Sequence, residues 1–215
     1  MSKEKPRFFG QLTGVLYKPR IIFSSIEDND IIKGLGIMIV MVILAGYSNI
    51  VYMEKIPLEV LSPLLGEVET SQFEGVMGIM TGIRSSISII IGWITSTILM
   101  HGMGLLSKGN GSMRRLFAMH GFASVPSILN QLLRVVDASI IDSATLTSYF
   151  LIYQEISSKA LKALLGTNLV NIWGLSTIAL LVIAVEENYG VNRLRAFMIV
   201  FLPSVIYFII NYFLA

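Results

Sequence analysis

The chain contains no cysteine, only two histidines and little charge. Without cysteine there is no disulfide, no thiolate nucleophile and no cysteine-bound metal. Charged residues make up 14% of the 215 residues, against about 25% in an ordinary soluble domain, and the formal net charge is only +2. So small a positive balance gives no reason to expect a nucleic-acid partner. Enzyme motifs are missing as well. Gly104-Leu-Leu-Ser-Lys-Gly-Asn-Gly111 lacks the spacing of a phosphate-binding loop, and neither His-Glu-x-x-His nor Gly-x-Ser-x-Gly occurs. No catalytic residue and no cofactor is assigned, and the chain is expected not to be an enzyme.

Long apolar runs, in contrast, are abundant. Ile31 to Met53 carries no charge after Lys33, and Ser85 to Leu106, Leu116 to Val136, Leu169 to Val185 and Ala196 to Ala215 follow. A helix rises about 1.5 Å per residue, so about 20 apolar residues cross a hydrocarbon core about 30 Å thick. Mean hydropathy is +0.73, and 54% of residues are hydrophobic. The pattern predicts an all-α, polytopic membrane bundle of five transmembrane helices, at about 31–53, 83–106, 114–136, 167–187 and 194–215. An amphipathic segment at 1–30 precedes this membrane domain, 31–215, and an amphipathic outer helix is expected at about 143–165. The stretch Phe8-Phe9-Gly10-Gln11-Leu12-Thr13 is too mixed for the apolar core of a secretory signal, so the first long block is expected to remain as a span.

Basic residues set the expected orientation. Lys3, Lys5, Arg7, Lys18, Arg20, Lys33, Lys108, Arg114, Arg115, Arg193 and Arg195 fall on one side of a five-span chain. Lys55, Arg134, Lys159 and Lys162 fall on the other, and Arg84 lies at a boundary, paired with Glu74 or the headgroups. Basic flanks stay in the cytoplasm, which predicts a multi-pass cell-membrane protein with its N-terminus cytoplasmic and its C-terminus outside. The first outer loop is acidic, with Glu54, Glu59, Glu67, Glu69 and Glu74.

Outside the spans, Phe8, Leu12, Val15 and Leu16 recur at helical spacing, and Ile22, Phe23 and Ile26 follow Pro19. Leu146, Tyr149, Phe150, Tyr153, Ile156, Ala160, Leu161 and Leu164 form a second stripe, which Asp142 or Ser143 caps and Gly166 ends. Either segment lies in the membrane interface or packs on the bundle. Within the spans, Ser88, Gly92, Ser96 and Gly104 form a small-residue ridge of the kind that lets helices approach closely in lipid. Gly34, Gly46 and Gly174 serve other helices similarly, and Pro126 and Pro203 are expected to kink the third and fifth.

His101 and His120 bracket one short turn at matched distances and are expected about one helical turn below the interface. Facing each other, they would suggest a metal or proton site; two ligands fall short of the usual zinc set, and separate hydrogen bonds are favoured, so no metal is assigned. Asn130, Gln131 and Arg134 are expected to meet Asn168 and Asn171 in a structural polar network. Asp137 and Asp142 are read as loop residues, and Glu186 and Glu187 as closing the fourth span.

Several segments together resemble the Yip family, five-span membrane proteins named for interacting with Ypt/Rab GTPases. Leu16 to Ile26, with Pro19 and Phe23, is similar to the family's opening apolar-x-x-Pro-x-x-x-Phe segment. Gly104 to Arg115, with Gly109 and Gly111, resembles its glycine-rich turn, and Gly121 to Pro126 its small-residue and proline segment. Trp173 and Asn192 to Ala196 also fit. The short form is more like the prokaryotic members, and without the longer N-terminal region of eukaryotic ones it argues against a GTPase partner. The resemblance implies a non-enzymatic protein that organises membrane or protein partners, with the bilayer, another membrane protein or further copies of itself as neighbours. The alternative is a small-solute or ion transporter or channel, formed by one chain or an oligomer.

Overall fold

A computed structural model describes residues 7–57, 60, 74–156 and 171–214. The expected roles of Glu59, Glu67, Glu69, Lys159, Lys162, Gly166 and Asn168, and the second half of the outer helix, lie outside those residues, as does the side chain of Glu74. Among the described residues the chain is all-helical. In order, the helices are α1 (Phe8–Tyr17), α2 (Pro19–Ser25), α3 (Ile31–Glu54), α4 (Glu74–Leu106), α5 (Met113–Ala123), α6 (Val125–Ile140), α7 (Ser143–Glu155), α8 (Ile172–Tyr189) and α9 (Arg193–Leu214). Among the described residues three segments, against the five expected, are long and apolar enough to cross a membrane: Asp28–Glu54, Val76–Leu106 and Ile172–Tyr189.

The predicted third span is two helices. Its backbone breaks at Ser124, and Pro126 sits in the first turn of α6 rather than in mid-helix. There the missing N–H of proline goes unused, so the residue starts a helix. Pro203, in contrast, lies inside the continuous α9. Helix ends follow local chemistry. The Asp142 carboxylate accepts from the Thr145 N–H at 2.8 Å at the start of α7, which holds its pKa below the usual range. Asn171 caps α8 by accepting from the Gly174 N–H at 2.7 Å, and Gly190 closes α8 in the left-handed conformation, φ +66°.

The long helix α3 packs along α4, α5 and α6, while α8 contacts α2, α5, α6 and α9. Close backbone approach is concentrated where α3 crosses α5. A Cβ on Gly34 would lie 2.8 Å from the Ala118 backbone, and one on Gly121 would lie 2.5 Å from the Gly34 Cα. The N-terminal helices are part of the same core: Val15, Phe23 and Ile26 are buried with Leu116, Phe122 and Val185. Of the two expectations for this segment, packing on the bundle is the one observed. Helix α7 is different, since none of its residues is buried.

Candidate functional site

Polar side chains gather in three places: the bundle end that carries α1 and α2, the opposite end, and a cavity between them.

At the α1–α2 end, Pro19 begins α2 and Phe23 is wholly buried. Arg115 holds α2 from inside, donating through Nε to the Ile26 carbonyl at 2.8 Å and through Nη2 to the Phe23 carbonyl at 3.1 Å. These are carbonyls at a helix end, which carry the negative pole and attract a cation. Arg20 pairs with Glu186 at 2.5 Å and Glu187 at 3.2 Å, and Arg193 reaches Glu186 at 3.2 Å. The two adjacent glutamates, which point apart along their helix, are gathered by one guanidinium. Lys33 pairs with Asp30 at 2.7 Å and lies 3.4 Å from Gln11, which is fully buried. Lys33–Asp30 is an i,i+3 pair and Arg193 lies seven residues from Glu186, but the bonds of Arg115 to α2 and of Arg20 to Glu186 and Glu187 join segments far apart in sequence and are not written in local spacing.

The glycine-rich turn has a definite task. Cβ atoms added to Gly104, Gly109 or Gly111 would each come within 2.5–2.7 Å of Tyr189 side-chain atoms, so the three glycines form a cradle for this side chain. Its hydroxyl lies 2.6 Å from Nδ1 of His101. His120 has a different partner, Thr97, at 2.7 Å. The two histidines therefore do not face each other, and His120, eight residues into α5, lies deeper than the expected single turn. Among the described residues no three His, Cys, Asp or Glu side chains are grouped to hold a metal.

At the opposite end Arg134 meets the first long helix instead of the fourth, donating to the Asn49 Oδ1 at 3.3 Å. Asn49 in turn donates to the Ser85 hydroxyl at 2.8 Å, and the Tyr52 hydroxyl donates to Asp137 at 2.5 Å. The expected link to Asn171 is replaced by that residue's capping of α8, and Asp137 belongs to helix α6 rather than to a loop. Arg84 is exposed.

The cavity, of about 430 Å³, runs between α4, α8 and α9 beside the α5–α6 break. Ser88, Gly92 and Ser96 line it, and nothing lies within 4 Å of a Cβ placed on Gly92. This corrects their reading as a helix-packing ridge: periodicity put the three on one face, but the face borders open space. Gly104, the fourth member, does make a close contact, with Tyr189. Pro203 and Ser204 of α9, Ser127 and Thr177 add to the cavity wall, and the last two are hydrogen-bonded to each other at 3.0 Å. Trp173 stands in the first turn of α8, half-buried.

Among the described residues, apolar helices of membrane-crossing length and a core joining every helix but α7, with polar groups gathered at the bundle's ends and in one cavity, define a helical membrane protein. A family model of the Yip1 domain matches residues 13–214, nearly the whole chain, and the chain belongs to that family. No curated protein and no solved structure matches it.

Proposed function

We propose that this is a non-enzymatic five-span protein that organises lipid or protein neighbours at its cytoplasmic side. The crossings are α3, α4, the broken pair α5–α6, α8 and α9, and the basic residues near α1, α2 and the starts of α5 and α9 keep that end inside. The observation that carries the role is the α1–α2 cap. Pinned from below by Arg115 and laterally by Glu186 and Glu187, it leaves Phe9, Tyr17 and Ile21 exposed at 79%, 81% and 56% beside Lys18 and Arg20. A rigid apolar surface edged with cations suits anionic headgroups or a partner docked at the interface.

The topology predicts that an impermeant maleimide labels Ser148→Cys on intact cells and labels Asn110→Cys only after lysis; early labelling at Asn110 would reverse the orientation. For the role itself, a photocrosslinking side chain at Tyr17 in native membranes should give discrete adducts to lipid or to another protein. Those adducts should disappear with Phe9→Glu and Ile21→Glu while the melting temperature stays put. Crosslinks confined to the chain itself would defeat the proposal. Transport is the second reading, favoured by the cavity alone. Neutral-solute flux in proteoliposomes that Gly92→Leu blocks would put it first.

A further inference from the structure

His120 is more than nine-tenths buried and lines the cavity, and its two ring nitrogens have different fates. The Thr97 hydroxyl donates to the Trp93 carbonyl at 2.6 Å, and a carbonyl only accepts, so that proton is committed. The 2.7 Å contact between Thr97 Oγ1 and His120 Nδ1 then requires Nδ1 to be the donor. Neutral His120 is thereby the Nδ1–H tautomer, and Nε2 carries a free lone pair with no partner among the described residues. Trp93, also in the cavity wall, has a buried Nε1 without a partner. Among the described residues the rest of the lining contains no Asp, Glu, Lys or Arg, and Met38, Met41, Ile89, Leu99, Leu181 and Ile206 make it mostly apolar.

We infer that this cavity binds an uncharged amphiphile whose polar end is a hydroxyl donating to His120 Nε2, with its hydrocarbon body along the methionine and leucine walls. A volume of 430 Å³ lies in the usual range for small-molecule sites, about 300–1,000 Å³. An anionic or cationic head would meet no counter-ion there, and burying an unpaired charge is costly. A plain hydrocarbon would leave Nε2 desolvated and unpaired, which a donor corrects. The exposed side of α4 at Ser88, Gly92 and Thr95 offers an entrance from the bilayer. This inference stands apart from the α1–α2 cap; it shares its cavity with the transport reading but requires binding alone and no flux.

The chain has two tryptophans, so Trp173→Phe leaves Trp93 as the sole tryptophan, excited selectively over the eight tyrosines at the red edge of its absorption. With the full-length protein in detergent, an ω-bromo long-chain alcohol should quench Trp93 saturably, about tenfold more tightly than the bromoalkane of equal length, the worth of one buried hydrogen bond. His120→Phe should bring that ratio close to one. Gly92→Leu, which projects a side chain into the open space, should abolish saturable quenching without lowering the melting temperature. It keeps the test decisive where the His120 variant misfolds. Equal affinity for alcohol and alkane, quenching that never saturates, or indifference to Gly92→Leu would each overturn the inference. So would a rapid disulfide between copies of Gly92→Cys, which would show a second chain seated on this face.

Discussion

Gly121→Leu is expected to abolish folding, and Gly121→Ala to lower stability by about 3 kcal/mol or more, the upper end for overpacking a core. A Cβ at residue 121 would sit 2.5 Å from the Gly34 Cα and 2.7 Å from its carbonyl carbon. The obstacle is backbone, which has no rotamer to escape into, so α3 and α5 must separate along the crossing that seats α5 in the core. In a bilayer such separation is severe, because close van der Waals contact is the main force holding helices together. Gly36→Ala is the matching control. Nothing lies within 4 Å of its added Cβ, and alanine in a helix is favoured over glycine by about 0.5–1 kcal/mol. Thermal unfolding in detergent should therefore separate the two alanine variants in opposite directions. A Gly121→Ala protein that melts with the parent would refute the backbone crossing.

Tyr189→Ala carries the second large effect. The side chain is buried against Gly104, Gly109 and Gly111, and truncating an aromatic residue in such a site costs about 3–5 kcal/mol. Tyr189→Phe keeps the ring in its cradle and removes only the hydroxyl that meets His101 at 2.6 Å, a loss of about 1 kcal/mol. His101→Gln should be similarly mild, because glutamine retains both a donor and an acceptor. The ranking expected from chemical denaturation is thus alanine far below phenylalanine. Equal losses from the two substitutions would mean that the imidazole–hydroxyl bond, and not the ring packed on glycine, holds the end of α8 to the turn.

These two sites also mark how far the chain could be read directly. Gly104, Gly109 and Gly111 stood out by composition, but their common purpose was invisible, because Tyr189 lies nearly eighty residues beyond them. Ser88, Gly92 and Ser96, read as a packing ridge from their four-residue spacing, line the same cavity. Periodicity reports which residues share a face and is silent on what lies opposite; here it is a cavity. Likewise His101 and His120 are symmetric about their turn, yet they bind Tyr189 and Thr97 separately, since the rotation of each helix about its axis is set by packing.

The membrane solvent, the helical class, the family and the helix start at Asp142 were determined by sequence alone, and the caps at Asn171 and Pro19, though not read from it, rest on equally local groups. Each depends on composition or on groups a few residues apart: apolar length matched to bilayer thickness, a side chain reaching its own helix's first N–H groups, a proline where no donor is needed. The break at Ser124, the turn of Arg134 toward Asn49, the gathering of Glu186 and Glu187 by Arg20, and the orphaned acceptor on His120 were decided only by tertiary structure. Each is a partnership between distant segments, and which partner a polar group finds depends on how the helices are rotated and how closely glycines let them approach.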